Sequence, residues 1–87
     1  MAIKALFAVW GALANGDPNE ARAADVGPRL QQLFDNGATM ITINDDNFGD
    51  PAVGFLKHFA ATVNNDGRVS HYACQERQTI NFLTPSS

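Results

Sequence analysis

An all-β fold, a small antiparallel β-sandwich-like domain with one short helix, is the class that three features of this chain point to. Apolar residues recur with a period of two in several short runs. Clusters of Gly, Pro, Asn and Asp separate those runs. The 87 residues carry six Phe, one Trp and a hydrophobic fraction of 45%, which suits one compact core. No internal repeat, linker or low-complexity stretch divides them, so residues 1–87 read as a single domain.

The first element is a strand. Ile3, Ala5, Phe7 and Val9 alternate with Lys4, Leu6, Ala8 and Trp10, and past Lys4 both faces are apolar, as in a strand covered on two sides. The run from Ala5 to Ala14 also imitates a signal-peptide core, with Ala12-Leu13-Ala14 in the form of a cleavage site. The strand is the preferred reading. Asn15-Gly16-Asp17-Pro18-Asn19 is a turn cluster, and Glu20 to Ala24 reads as a short helix or an extended return.

Asp25 is placed to cap the helix that follows, and Pro28 is tolerated in a first turn whose amides lack partners. Leu30, Leu33 and Phe34 stand at helical spacing, so the helix is expected over Arg29–Phe34. Asn36-Gly37 supplies the stop.

Ala38 to Asn44 is the clearest strand, with Ile41 and Ile43 on one face and Met40 and Thr42 on the other. Phe55 to Asn64 is the next, with Phe55, Phe59, Ala61 and Val63 sharing a face that Lys57 joins. Asp50 and Pro51 would also start a helix, but Gly54, the β-branched Val53, Thr62 and Val63, and a poor helical stripe favour a strand. Asn65-Asp66-Gly67 is a hairpin signal leading into a strand over Arg68–Cys74. Gln75–Gln78 is a polar turn, Thr79–Leu83 a last short strand, and Thr84–Ser87 a frayed tail. Six or seven strands result.

Composition narrows the function classes. The net charge is −3 and the six Lys and Arg are scattered, unlike the basic patch of a nucleic-acid binder. No run approaches the ~18 apolar residues of a membrane-spanning helix. A single cysteine, Cys74, forms no intrachain disulfide and slightly favours a reducing, cytoplasmic setting.

Candidate chemistry centres on the loop Asn44–Gly54. Asn44, Asp45, Asp46, Asn47 and Asp50 offer the oxygens that calcium takes, with Phe48 among them. The EF-hand register fails, because Asn44 as first ligand puts Phe55 where the bidentate Glu belongs. Asn and Asp also bond their own backbone, so turn chemistry accounts for most of the loop. Phe48 is either a plug folded inward or an exposed contact. His58 and His71 fall on adjacent strands, but His71 and Cys74 point to opposite faces, which argues against a shared metal. No nucleophile motif or phosphate loop is present, and Cys74 reads as a small core residue.

Trp10-Gly11, Asp25-Val26, Leu30-x-x-Leu33-Phe34, Asp35-Asn36-Gly37, the strand Thr39 to Ile43, Asn44, Gly49-Asp50-Pro51, Gly54 and Lys57 follow one another in that order. This order of signals resembles a small uncharacterised β-sandwich-like domain, one form of which lies at the C-terminus of some J-domain (DnaJ-type) cochaperones. The chain departs from that pattern at Trp10, at Gly27, in a longer connection around Asn15 to Ala23, and in polar Gln75 to Gln78. The resemblance implies an all-β fold and carries no established activity with it.

The expectation is therefore a non-catalytic binding or interaction module, without a cofactor, using the Asn44–Gly54 loop and an edge strand toward a protein or carbohydrate partner. The alternative is a lectin-like or calcium-dependent ligand binder using Asn44, Asp45, Asp46, Asn47, Phe48 and Asp50. A small enzyme at His58 and His71 is a third reading. Homo-oligomers through edge strands are a further expectation.

Overall fold

The computed structural model describes residues 2–84. Six strands form two antiparallel sheets, joined by one short helix and one single helical turn. The strands are β1 (Ile3–Leu13), β2 (Ala21–Asp25), β3 (Met40–Thr42), β4 (His58–Asn65), β5 (Arg68–Gln75) and β6 (Thr79–Asn81). The helices are α1 (Gly27–Asp35) and α2 (Asp45–Phe48). The larger sheet runs β2-β1-β4-β5 and the smaller pairs β3 with β6.

The first apolar run becomes the long inner strand of the larger sheet, hydrogen-bonded to β2 on one side and β4 on the other. Its pleat is interrupted between Ala5 and Phe7, where the register against β4 shifts by one residue. That bulge moves Phe7 opposite Thr62 and leaves both Leu6 and Phe7 exposed. Beyond it, Ala8 and Trp10 turn into the core beside Ala61 and Phe59.

Glu20 to Ala24, left open between helix and extended chain, is the extended return β2, reached through two tight turns at Ala14–Gly16 and Pro18–Glu20. Pairing with β1 decides it, since a segment this short has no helical stability of its own. Gly11 sits where β1 and β2 approach most closely. A Cβ there would collide with the Arg22 carbonyl oxygen and the Ala23 Cα. Gly11→Ala is expected to lower stability by about 1–3 kcal/mol, read as a lower urea midpoint.

The helix is longer than Arg29–Phe34 and starts at Gly27, with Val26 in the capping position and no side-chain cap. Asp25 still serves the helix start, because its Oδ1 accepts the Gly27 amide at 2.9 Å. Leu30 and Phe34 bury the apolar stripe against the large sheet. Gln31 ties the helix to β1, accepting from the Ala5 amide at 2.7 Å and donating to the Ile3 carbonyl at 3.1 Å.

The Asp66-Gly67 turn joins β4 and β5 as expected, with φ of 53° and 93° that only a turn with two left-handed residues uses. Two strands are shorter than their sequence runs: β3 spans Met40–Thr42 and β6 Thr79–Asn81. The strand expected from Phe55 starts at His58, because residues 51–57 turn back to bring Lys57 inward. Of the expected tail, Thr84 is tied down, since its carbonyl accepts the Tyr72 hydroxyl at 2.9 Å. Residues 85–87 lie outside the described residues.

The inner face of the large sheet (Ala8, Trp10, Phe59, Ala61, Val63) packs on Leu30, Phe34, Ile41, Ile43, Phe48, Ile80 and Phe82. Phe82 is the hub, edge-on to Phe34 at 5.2 Å, Tyr72 at 4.9 Å and Phe59 at 6.5 Å. Among the described residues, the core cluster packs on this face. No described helix is long and apolar enough to cross a membrane.

Candidate functional site: a buried lysine and the acidic loop

Asn44 to Gly54 begins with a helical turn rather than an irregular loop. The Asn44 side chain caps α2 by accepting the Asn47 amide at 2.9 Å, and Asp45 and Asp46 follow in the first turn where negative charge suits free amides. Asn47 donates its side-chain amide to the Thr42 carbonyl at 2.7 Å, fastening the turn to β3. Its own carbonyl accepts Arg29 Nε at 2.8 Å, fastening it to α1.

Phe48 is only 7% exposed. The ring points inward between Trp10, at 6.3 Å, and Phe59, at 5.4 Å. The expectation that Phe48 offers its ring to a ligand is thus corrected: it plugs the core, as helical geometry places the last residue of α2 opposite exposed Asp46.

Lys57 decides what the remaining carboxylates do. It is 2% exposed, and its ammonium lies 2.9 Å from Asp50, 3.2 Å from Asp45 and 3.3 Å from Glu76. It also donates to the Phe55 carbonyl at 3.2 Å and lies 5.7 Å above the Trp10 ring. Burial by itself would lower the lysine pKa, but the hydrogen bonds it donates to Asp50, Asp45 and Glu76 outweigh it and hold the group well above its ordinary value. The amine is therefore a fixed cation and not a nucleophile or base near neutral pH.

Glu76 has a second link to the same residue, accepting the Lys57 backbone amide at 3.0 Å. That bond, opposed by burial and aided by the ammonium and by Arg77, holds its carboxyl below the usual range. The stabilisation that follows is present above the ordinary glutamate pKa and is lost as pH falls through the lower folded-state value. Asp45 Oδ1, covered from water, has the Lys57 ammonium as its partner. The carboxylates thus converge on a cation that the chain itself provides. Calcium at that point would have to displace the ammonium.

A shallow concavity of about 290 Å³ opens beside this cluster, lined by Gly54, Phe55, Leu56 and Arg77 among others. Another, of about 550 Å³, runs along α1 past Arg29, Gln31, Gln32 and Asp35, whose polar groups bond one another. Among the described residues no group of His, Cys, Asp and Glu is arranged to hold a metal ion.

The two histidines stay apart. His58 pairs with Gln75 and His71 with Thr62, four residues along β4, or about 13 Å at strand spacing. His71 Nδ1 is 3.0 Å from the Thr62 hydroxyl. Cys74 faces the core side opposite Phe59, and burial pushes its thiol up to about 11, which leaves it protonated.

Sequence reasoning missed the outer face of the large sheet. Exposed Phe7, Val69 and Ala73, with half-buried Val9 and Ala60, alternate with core residues along β1, β4 and β5. Near one end, Val9, Gly11, Ala12, Leu13, Ala21, Ala23 and His58 line an apolar hollow of about 360 Å³. The period-two apolar pattern on both faces of β1 was the signal. Comparisons with protein-family models, curated proteins and solved structures gave no match.

Proposed function

We propose that the protein is a non-catalytic binding or interaction module whose contact surface is the outer face of the large sheet. The observation that carries this reading is the outer face of the large sheet, where Phe7, Val9, Leu13, Val69 and Ala73 stand beside Thr62 and His71 while, among the described residues, the core cluster packs on the other face. An apolar strand covered on one face only leaves a surface of the kind that partners occupy. The Asn44–Gly54 loop fits that role less well, because Phe48 is in the core and Asp45 and Asp50 hold Lys57.

Panning a displayed random-peptide library against the folded chain, then mapping selected peptides by amide chemical shifts, tests the reading. The footprint is expected on Phe7, Val9, Leu13, Ala23 and His58. A footprint on Asp45–Phe48 would return the contact surface to the loop.

A further inference from the structure

We propose that residues 50–53 form a hinged lid, latched shut by Lys57, that opens as a unit while both sheets stay folded. The inference concerns the acidic loop and is independent of the outer sheet face. Three observations carry it.

The first is a pair of hinges between fixed ends. Gly49 and Gly54 bracket the segment with φ of 83° and 85°, in the left-handed region that glycine enters without strain. Nothing lies within 4 Å of where a Cβ would stand on either, so no close neighbour pins them. The residues around them are held. The Gly49 amide donates to the Asp45 carbonyl at 2.7 Å, and its carbonyl accepts the Trp10 indole N–H at 2.9 Å. Past Gly54, the Phe55 ring lies 5.6 Å from the Arg22 guanidinium, and the Phe55 carbonyl accepts Lys57 Nζ at 3.2 Å. A change of direction between these anchors falls on the two glycines.

The second is how little holds the segment. Asp50 supplies one ion pair, 2.9 Å from the Lys57 ammonium. Pro51 has no amide hydrogen to donate. The Ala52 carbonyl accepts the Phe55 amide at 3.1 Å, the single backbone–backbone bond of residues 50–53 among the described residues. Ala52 is buried yet stands outside the cluster of side chains that makes the core, and Val53 is 73% exposed. Lifting the segment withdraws one carboxylate and one methyl group and breaks no strand pairing, as a low-cost local opening requires.

The third is what closure covers. Around the Lys57 ammonium stand Asp45 on α2, Asp50 on the lid, Glu76 after β5 and the Trp10 ring. Lys57 and Glu76 are also tied through their backbones: the Lys57 amide donates to Glu76 Oε1 at 3.0 Å, and the Glu76 amide to the Lys57 carbonyl at 2.9 Å. The ammonium therefore stays in place with two carboxylates when the third leaves. Asp50 and Gly54 also line the concavity of about 290 Å³ that Lys57 and Arg77 share. Opening widens that concavity and turns its lysine toward solvent, so the lid gates a buried cation.

Amide hydrogen exchange followed by NMR, in urea below the unfolding transition, tests the lid. The Phe55 amide reports opening, because its acceptor is on the lid. It is expected to be less protected than the β4 amides and nearly indifferent to urea, since so short an opening exposes little surface. The Lys57 and Glu76 amides and the Trp10 indole proton should exchange with the sheets. Asp50→Asn should raise the Phe55 rate about 10-fold, and Ala52→Gly serves the same purpose if that variant does not fold. Gly11→Ala, which weakens the sheet and not the lid, should speed the β4 amides and leave Phe55 unchanged. A Phe55 amide with the urea dependence of the β4 amides means that the segment opens only with the whole fold, and overturns the lid. A Phe55 rate indifferent to Asp50→Asn and Ala52→Gly overturns it equally, as does a Trp10 indole proton released together with Phe55.

Discussion

Lys57→Met is expected to lower the unfolding free energy by about 2–4 kcal/mol. Methionine fills most of the lysine's volume, so the loss is electrostatic rather than a packing defect. Without the ammonium, Asp45, Asp50 and Glu76 face one another around a site that has lost its buried cation. Removing one partner of a fully buried pair costs about 3–5 kcal/mol; here Asp45 and Asp50 are partly exposed and can turn toward water, which sets the lower range. A domain of this length has roughly 4–13 kcal/mol in all, so the change takes a large share of it. Urea unfolding followed by far-ultraviolet circular dichroism measures it, and an unchanged midpoint would mean that the cluster contributes nothing.

Trp10→Ala should cost more, about 3–5 kcal/mol. The indole is the largest fully buried side chain, and it joins three parts of the molecule. Its ring packs on Phe48, its Nε1 donates to the Gly49 carbonyl at 2.9 Å, and its face lies under the Lys57 ammonium. Truncation therefore opens a cavity and loosens the attachment of α2 to the sheet together. Trp10→Phe keeps most of the ring and loses the hydrogen bond, so about 1–2 kcal/mol is expected. Because Trp10 is the sole tryptophan, circular dichroism rather than fluorescence must follow both variants. Equal effects of Phe and Ala would show that the bond to Gly49, not the packing, dominates.

Features set by neighbours in the chain were legible in the sequence. The Ile41 and Ile43 face, the Asp66-Gly67 turn and the Leu30 and Phe34 stripe depend on residues a few positions apart and appear in the fold, whereas the alternation expected along β1 holds only on either side of its bulge, which splits Ile3 and Ala5 from Phe7 and Val9. The turn of α2 was legible in part: Asn44 followed by two Asp is an N-terminal signal, but four residues are too few to show a helical period. What escaped was non-local. Lys57 fell on an apolar face of its strand, which signals a buried cation, yet Glu76 lies 19 residues away and Asp45 on another element. Phe48 could not be assigned to core or surface until Trp10 and Phe59 were brought to it. The bulge at Leu6 leaves no mark in composition, and it alone puts Phe7 on the outer face.

The central claim is that the acidic loop is built around Lys57 as part of the fold. A double-mutant cycle of Lys57→Met and Asp50→Asn, the shortest of the three contacts, tests it most directly. The coupling should be at least about 1 kcal/mol, with Asp50→Asn harmful in the wild type and neutral or stabilising once Lys57 is gone. Additive losses, within about 0.5 kcal/mol, would contradict the account and free the loop's carboxylates for another role.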